Sequence, residues 1–155
     1  MLIRRVKATV SAHVVIVDHK RDTNPVRILL TRLAYQDHRA GKYCFPGGYV
    51  DQGEELDEAL KREVNEEIGL ELLKYNLVKT VPVLQGEQSN IGFIYVCHDW
   101  AGTPAIKSHE ILEIIWVDEP SFWQLDRDGQ LAYPQMREQM SCLGWQSTRQ
   151  ETYPS

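Results

Sequence analysis

The strongest constraint on the fold of this 155-residue chain is an acidic segment, residues 54–68, that has the pattern of one amphipathic helix. Its apolar residues recur at the spacing of a helix face: Leu56, Ala59, Leu60 and Val64. Gly69 follows directly, and glycine commonly ends a helix because it adopts the left-handed conformation without strain. The pattern therefore predicts a helix over residues 54–68 whose apolar face lies on the core of a larger fold.

The charge of the chain is concentrated in this helix. Seven acidic and two basic side chains lie between residues 54 and 67, and the rest of the chain is balanced, so the formal net charge of -5 is local. Glu63, Glu66 and Glu67 share the end of the helix, where the dipole opposes each exposed carboxylate by roughly 0.3–1 kcal/mol. We expect them opposite the apolar face. They form either a solvated surface or, beside a Pro-Gly-Gly loop, a site for a hard cation such as Mg²⁺.

The residues around this helix resemble the Nudix box. Segment 48–70 reads GYVDQGEELDEALKREVNEEIGL, and the box is Gly, any five residues, Glu, any seven, then Arg-Glu-U-x-Glu-Glu-x-Gly-U with U aliphatic. Every defined position is filled: Gly48, Glu54, Arg62, Glu63, Val64, Glu66, Glu67, Gly69 and Leu70. The preceding FPGG also resembles the family. Agreement at all these positions is far more specific than a lone glycine-rich loop.

The resemblance implies an α/β fold, the Nudix-type α/β/α sandwich with a mixed β-sheet, and hydrolysis of a nucleoside diphosphate linked to another group. It also implies Mg²⁺, or Mn²⁺ as a substitute, held by the carboxylates of Glu63, Glu66 and Glu67 and by the backbone carbonyl of Gly47. Such a cation screens the diphosphate, polarises a phosphoryl oxygen and lowers the pKa of an attacking water. On the same basis Glu66 and Glu67 are expected to be catalytic.

Three further box residues receive roles from the resemblance. Arg62 is expected to orient the carboxylates through an ion pair with Glu54 and so joins the catalytic set, although a surface helix charge is the simpler interpretation. Gly48 and Glu54 are assigned to the substrate-binding side of the site.

The general base stays open, because the family does not place it uniformly. A box glutamate is one candidate. Glu113, three residues before Trp116, resembles a distal catalytic glutamate of several family members, and Glu110 is its rival. Alternation along a continuous strand sends Glu110 and Glu113 to opposite faces, so only one of them faces the site. We favour Glu113, for which a strand-end charge without function is the alternative.

Other substrate contacts are predicted from position. Arg32, at the end of the second strand, and Arg39, in the loop after it, are assigned to substrate phosphates. Lys42 is an alternative to Arg39, and solvated basic side chains are the alternative to all three. Three aromatic residues are candidates for stacking on a base or for the core: Phe93, Tyr95 and Trp123.

The rest of the chain predicts one domain over residues 1–150 and a loose tail, 151–155. Strands are predicted at residues 6–17, 26–33, 72–84, 91–98 and 110–118. A short helix is predicted from Pro120 and a longer one over residues 133–143. The Pro-Gly-Gly is expected to break any regular element.

Composition excludes several classes of protein. No apolar run approaches the ~20 residues of a membrane helix, and no basic surface suits a nucleic acid. The three cysteines are odd in number and lack metal-ligand spacing, which favours free thiols and a cytoplasmic location. We therefore expect a small-molecule nucleotide as partner, without membrane or nucleic acid. The sequence leaves the oligomeric state open, and a homodimer is one alternative because dimers are common among relatives.

These observations predict a Mg²⁺-dependent pyrophosphohydrolase. Motifs that mark NADH or coenzyme A hydrolysis are absent, and Pro82 lies nearer the box than the proline associated with ADP-ribose hydrolysis. Nucleoside triphosphates, including damaged ones, cleaved to monophosphate and pyrophosphate as in MutT-like enzymes, are the expected substrates. The alternatives are ADP-ribose or another nucleotide sugar, and a non-catalytic regulatory module that binds a ligand. The complete set of box glutamates disfavours the last.

Overall fold

The computed structural model describes residues 4–18 and 25–147; the predicted tail, 151–155, lies outside them. Seven strands lie in the described residues: β1 Thr9–Ile16, β2 Ile28–Leu33, β3 Tyr43–Cys44, β4 Gly47–Tyr49, β5 Glu71–Val83, β6 Asn90–Ala101 and β7 Ile111–Val117. The α-helices there are α1 Leu56–Ile68, α2 Glu119–Arg127 and α3 Met136–Gln139, with 3-10 turns at Gly86–Gln88 and Met140–Leu143. None of these helices is both long and apolar enough to cross a membrane.

The strands form two sheets, one of order β4-β1-β6-β5 and one of order β3-β2-β7. In the first sheet β1 runs parallel to β6, whereas β1–β4 and β5–β6 are antiparallel. A parallel pair needs a long crossover, and here the chain between β1 and β6 carries β2 to β5 and α1. The mixed sheet and the α/β class predicted from the sequence are confirmed.

Strand β1 is buried on both faces because helices pack on each side of it. Val14 and Ile16 belong to one core cluster with Leu60 of α1, whereas Val15 belongs to a second cluster with Phe122 of α2. A strand covered on both faces has a nearly continuous apolar run, as in AHVVIV. The packing of α1 against one face therefore fixes where its acidic end lies.

The Pro-Gly-Gly segment corrects one prediction, since it continues into a strand instead of breaking the regular structure. Gly47 and Gly48 begin β4, which pairs antiparallel with β1 opposite His13 and Ala12. Gly47 has a φ of 143°, and a Cβ added there would overlap the Ala12 carbonyl oxygen. Only glycine permits this close pairing. This pairing places the glycine backbone of β4 beside α1, which packs on β4.

The predicted helix over residues 133–143 is wrong, because α3 spans only Met136–Gln139 and a 3-10 turn follows. The preceding residues are tied to β3 instead. Tyr43 N–H donates to the Gln130 carbonyl, and Ala132 N–H donates to the Tyr43 carbonyl, both at 2.8 Å. Pro134 also disfavours a helical conformation in Tyr133. Tyr133 is therefore held outside the helix, on the side of the molecule where β3 lies.

Candidate active site

Helix α1 begins at Leu56, two residues later than predicted, because a capping box forms at its start. The Glu55 N–H donates to Glu58 Oε2 at 3.5 Å, and the Glu55 carboxylate accepts from the N–H of Glu58 in return. The helix ends at Gly69 in the left-handed conformation, with a φ of 72°, as the sequence predicts. The acidic residues of the first turn therefore stabilise the helix.

Glu67 does not lie opposite the apolar face, which corrects the expected arrangement. Its exposed fraction is 5%, and it lies on the buried side of α1 with Leu60 and Val64. The spacing explains this position: residue 67 follows Leu60 by seven residues and Val64 by three, which keeps it on their face. Glu63 is partly buried beside it and Glu66 is exposed, so the three carboxylates extend from the core to the surface.

The glycines of β4 allow the carboxylates to approach the strand. A Cβ added to Gly48 would lie 2.6 Å from the Glu63 carboxyl carbon, so the side chain of Glu63 occupies space that only glycine leaves open. The Gly47 N–H donates a hydrogen bond to the Glu67 carboxylate. The FPGG segment and the helix thus build one site, although six residues of the chain separate the end of β4 at Tyr49 from the start of α1 at Leu56.

The carboxylates repel one another, and this repulsion affects their pKa values. Burial, together with the charges of Glu63 and Glu110, raises the pKa of Glu67 to about 8, although the Gly47 N–H partly offsets these effects. Burial also raises the pKa of Glu63, against the opposing effect of Arg62. The Glu63 carboxyl thus helps to raise the pKa of Glu67, so without a cation Glu67 retains a proton near neutral pH.

Arg62 organises the outer part of this cluster. Its Nε and Nη2 donate to the two carboxylate oxygens of Glu54, each at 2.8 Å, in a bidentate ion pair. Its Nη1 donates to Glu63 Oε1 at 2.9 Å and to Glu66 Oε2 at 3.2 Å. The Arg62 guanidinium and the N–H of Asp51 hold the pKa of Glu54 at about 2. The ion pair that the resemblance implies is therefore present in the structure.

The structure separates the two glutamates considered for the general base. Glu110 precedes β7, and its charge contributes to the raised pKa values of Glu63 and Glu67, which places it near the box carboxylates. Glu113 lies within β7, where its Oε2 accepts a hydrogen bond from the Tyr43 hydroxyl at 2.9 Å. The described contacts of Glu113 are thus with a different group of residues.

A cavity of about 340 Å³ opens beside the carboxylates, within the size range of small-molecule sites. Glu67, Gly47 and Gly48 line it, so the acidic cluster and the cavity share a wall. Much of the remaining lining is polar but uncharged, including the side chains of Ser11, His13, Asn90, Gln135 and Gln139. Burial, with the charge of Arg39, lowers the pKa of His13 to about 4, so its imidazole is neutral at physiological pH.

Arg39 is fixed at the edge of this cavity by three neighbours that the sequence did not reveal as a group. Its Nε and Nη2 donate to the Asp37 carboxylate, the shorter contact being 2.7 Å, and its Nη1 donates to the Tyr133 hydroxyl at 2.7 Å. Its guanidinium carbon lies 4.3 Å from the Tyr35 ring centroid. Tyr35 in turn has its pKa raised by burial and by the charges of Glu110 and Glu67. Arg39 thus joins the loop after β2 to the segment before α3.

Other predicted contacts lie elsewhere. Arg32 donates from Nε to the Gly41 carbonyl at 2.9 Å, and neither it nor Lys42 lines the cavity. The three candidate stacking aromatics do not line it either, and they pack with the core clusters: Phe93, Tyr95 and Trp123. The aromatic rings that do line it come from other positions: Tyr35, Phe45, Tyr49 and Tyr133.

The donor set suits a hard divalent cation, although without the ion these carboxylates interact with Arg62 and with a proton instead. Across residues 4–18 and 25–147, no three His, Cys, Asp or Glu side chains already form a metal-binding group. Arg62 engages Glu63 and Glu66, and Glu67 retains a proton near neutral pH. Oxygen ligands that repel one another and have raised pKa values are nonetheless the environment that a bound cation relieves.

Comparison with known proteins identifies the family. Residues 7–139 match the NUDIX domain, and the chain belongs to that family. Over 91 residues it is 37% identical to the 8-oxo-dGTP diphosphatase of Haemophilus influenzae, a stretch that covers 59% of this chain and 65% of that relative. The chain therefore spans less than two thirds of the relative's length. Members of this family generally use divalent metal ions and act on small-molecule nucleotides.

Solved structures agree with this assignment. The crystal structure of a MutT NUDIX hydrolase from Burkholderia pseudomallei superposes with a TM-score of 0.64 at 26% identity, covering 74% of this chain and 85% of that one. A NUDIX hydrolase from Nitrosomonas europaea has a TM-score of 0.69 at 21% identity, covering 88% of this chain and 86% of that one, and shows the same fold.

Proposed function

We propose that this protein hydrolyses a nucleoside triphosphate to the monophosphate and pyrophosphate, with Mg²⁺ as its ion and Mn²⁺ as a substitute. The observation that carries the proposal is the position of Glu67, which belongs both to the carboxylate cluster and to the wall of the cavity. A cation bound by Glu67 therefore lies beside any ligand in that cavity. The name of the Haemophilus influenzae relative supports a nucleoside triphosphate, including an oxidised one, as substrate.

The residues that would hold the cation are Glu63, Glu66 and Glu67, with the Gly47 carbonyl added on the family resemblance. When bound, the ion supplies Lewis-acid polarisation of the phosphoryl group and a more acidic water. Arg62 holds the Glu63 and Glu66 side chains in place from the opposite side, through hydrogen bonds of 2.9 and 3.2 Å. These contacts restrict the carboxylates before substrate arrives, which lowers the entropic cost of assembling the site.

Arg39 is the arginine that we assign to the substrate phosphates. A guanidinium has five N–H donors, and Asp37 and Tyr133 engage only part of them. Arg39 also lines the cavity, whereas Arg32 does not. Gly48 contributes to substrate binding indirectly, because it leaves room for the Glu63 side chain. Glu54 contributes indirectly too, because it holds the Arg62 guanidinium in place.

We propose Glu110 as the general base, in place of Glu113, which alternation and the family resemblance favoured. Glu110 acts electrostatically on both Glu63 and Glu67, whereas Glu113 bonds to Tyr43. The test compares Glu110→Gln with Glu113→Gln. We expect the first to reduce kcat by about 10²-fold or more and the second to retain most activity. The reverse order would return the role to Glu113.

A nucleotide panel with product identification tests the function. The protein is incubated with Mg²⁺ and ordinary or oxidised nucleoside triphosphates, ADP-ribose and nucleotide sugars. We expect monophosphate and pyrophosphate from a triphosphate, and ¹⁸O-labelled water shows which phosphorus is attacked. Preferential cleavage of ADP-ribose would reject nucleoside triphosphates as the substrate class in favour of ADP-ribose. Absence of turnover with metal demonstrably bound would instead favour a non-catalytic binding module.

We also propose a cytoplasmic location and a homodimer. The free thiols of Cys44 and Cys97 are buried, and burial raises the pKa of Cys44 to about 12, so these thiols are unreactive in the folded chain. Cell fractionation tests the location, and recovery of the native protein outside the cytoplasm would reject it. Sedimentation equilibrium tests the dimer, which a monomer mass at micromolar concentration would reject.

A further inference from the structure

The side chain of Gln139 has an unusual hydrogen-bonding state. It lies on α3, lines the cavity and has an exposed fraction of 3%. Its Nε2 donates to the Gln135 carbonyl at 3.3 Å. Its Oε1 is buried without any hydrogen-bond partner, the only such side-chain atom among residues 4–18 and 25–147. Buried polar atoms are nearly always paired in folded proteins, so an unpaired one calls for a partner that the chain itself does not supply.

The orientation of this amide follows from its neighbour. Exchanging the nitrogen and oxygen would bring two acceptors together at the Gln135 carbonyl, so the nitrogen stays on that side and the oxygen faces away. The last torsion of a glutamine side chain is broad, so a small turn of the amide can bring Oε1 towards a ligand. Gln139 is therefore a buried acceptor that is free to pair with an entering donor.

A second amide of the cavity provides a contrast. Asn90 donates from Nδ2 to Ser11 Oγ at 3.0 Å, and its Oδ1 accepts from the Thr9 hydroxyl at 2.9 Å. Its oxygen and nitrogen are thus both used within the protein. Of the two amides, only Gln139 has a buried oxygen that accepts no hydrogen bond from the protein.

We propose that Gln139 Oε1 accepts a hydrogen bond from the exocyclic amino group of the substrate's nucleobase. The cavity is bordered by Glu67 where the phosphates would bind, and its charged Asp37 and Arg39 side chains pair with each other. The lining also contains neutral polar groups such as the imidazole of His13. A neutral, donor-bearing heterocycle fits such a lining better than a second charged group. The inference rests on the proposed function and specifies its substrates as nucleotides whose bases carry an amino group.

Matched substrate pairs test this assignment with one variant. dGTP is compared with dITP, which lacks the 2-amino group, and dATP with the triphosphate of purine deoxyriboside, which lacks the 6-amino group. Gln139→Met keeps the size of the side chain and removes the acceptor. We expect the wild-type protein to prefer the amino-bearing member of at least one pair by about tenfold in kcat/KM, and the variant to lose that preference.

The control separates base recognition from a structural role. Gln124→Met makes the same change on the exposed surface of α2 and should leave every preference unaltered. If Gln139 only supports α3, Gln139→Met lowers kcat/KM equally for both members of each pair, and the inference is rejected. Wild-type activity without any preference between members also rejects it, while leaving the proposed function intact.

A binding measurement keeps the test independent of turnover. The side-chain amide signals of Gln139 are followed by ¹⁵N NMR during titration with dGMP, dIMP, dAMP and purine deoxyriboside monophosphate. We expect a larger shift with the amino-bearing member of the pair that the site recognises. Equal shifts within both pairs would overturn the inference even if the protein hydrolysed nothing, an outcome that would count separately against the proposed function.

Discussion

The two ends of α1 both carry glutamates, but they use them differently. At the first turn Glu55 and Glu58 satisfy backbone N–H groups in a capping box and agree with the helix dipole. At the last turns Glu63 and Glu67 are drawn into the interior, where burial raises their pKa values. The same residue type therefore stabilises the helix at one end and opposes stability at the other.

The difference between the ends indicates what each one is for. At the first end, the glutamates are stabilised by backbone N–H groups of the chain itself. At the second end, repulsion among the carboxylates is reduced only by protons, by Arg62 or by an external cation. Arg62 bonds to Glu63 and Glu66 without a described bond to Glu67. A site that is unfavourable for folding and lies on a cavity is typical of functional residues.

The largest expected effect comes from Glu67→Gln. Removing this carboxylate is expected to reduce kcat/KM by about 10²–10⁴-fold, because the cation loses its ligand on the cavity wall. The free energy of unfolding should not fall, since the amide carries no charge to bury. Steady-state kinetics and urea unfolding measure the two quantities. Wild-type activity in this variant would reject the site assignment.

A second effect concerns pH in the metal-free protein. The pKa of Glu67 is about 8 when folded and 4.5 in its reference state, so the folded protein binds more protons between these values. Stability should therefore fall as pH rises through this range, by up to about 5 kcal/mol, and this loss is absent below the range. Urea unfolding with a chelator across about pH 5–8 measures the slope. An identical slope in Glu67→Gln would contradict the prediction.

Gly48→Ala should have a smaller effect, chiefly on activity. The new methyl group would meet the Glu63 carboxyl at 2.6 Å, so the side chain has to move, and we expect about a tenfold loss in kcat/KM. Gly47→Ala is the matched comparison, because its methyl group meets the Ala12 backbone and should mainly lower stability. Kinetics and thermal unfolding of both variants measure how each substitution affects activity and stability. A Gly48→Ala protein with full activity would show that Glu63 needs no fixed position.

The smallest effect is expected at the opposite end of the helix. Glu58→Gln removes a charge from the first turn and should lower the free energy of unfolding by about 0.3–1 kcal/mol, without changing kcat/KM. Urea unfolding and kinetics provide the values. A large loss of activity here would mean that glutamates at both ends serve the reaction.

The carboxylate site could be predicted from the sequence because its residues are close neighbours in it. The helix and its end at Gly69 follow from spacing within one segment, whereas the pairing of Arg62 with Glu54 follows from the family resemblance. The face of Glu67 could also have been obtained by continuing the helical wheel one turn beyond Val64. The charge of Glu67 favours an exposed position, but its spacing from Leu60 and Val64 places it on the buried face.

The cavity could not be predicted because distant segments build it. Arg39 and Tyr133 are 94 residues apart, and their contact depends on the pairing of β3 with the segment before α3. The same long-range pairing shortens α3. Pairing with β1 likewise makes the two glycines of Pro-Gly-Gly part of a strand. One local signal existed in β1, where the polar residues Ser11 and His13 alternate with apolar ones and both line the cavity.

The central claim is that the buried end of α1 binds a divalent cation, and proton release on binding tests it most directly. Calorimetric titrations with Mg²⁺ and Mn²⁺ in buffers of different ionisation enthalpy count the protons released. With the Glu67 pKa at about 8, we predict release approaching one proton at about pH 7, and little release above about pH 9 or in Glu67→Gln. Binding without proton release at neutral pH, or no binding of either ion, would contradict the account.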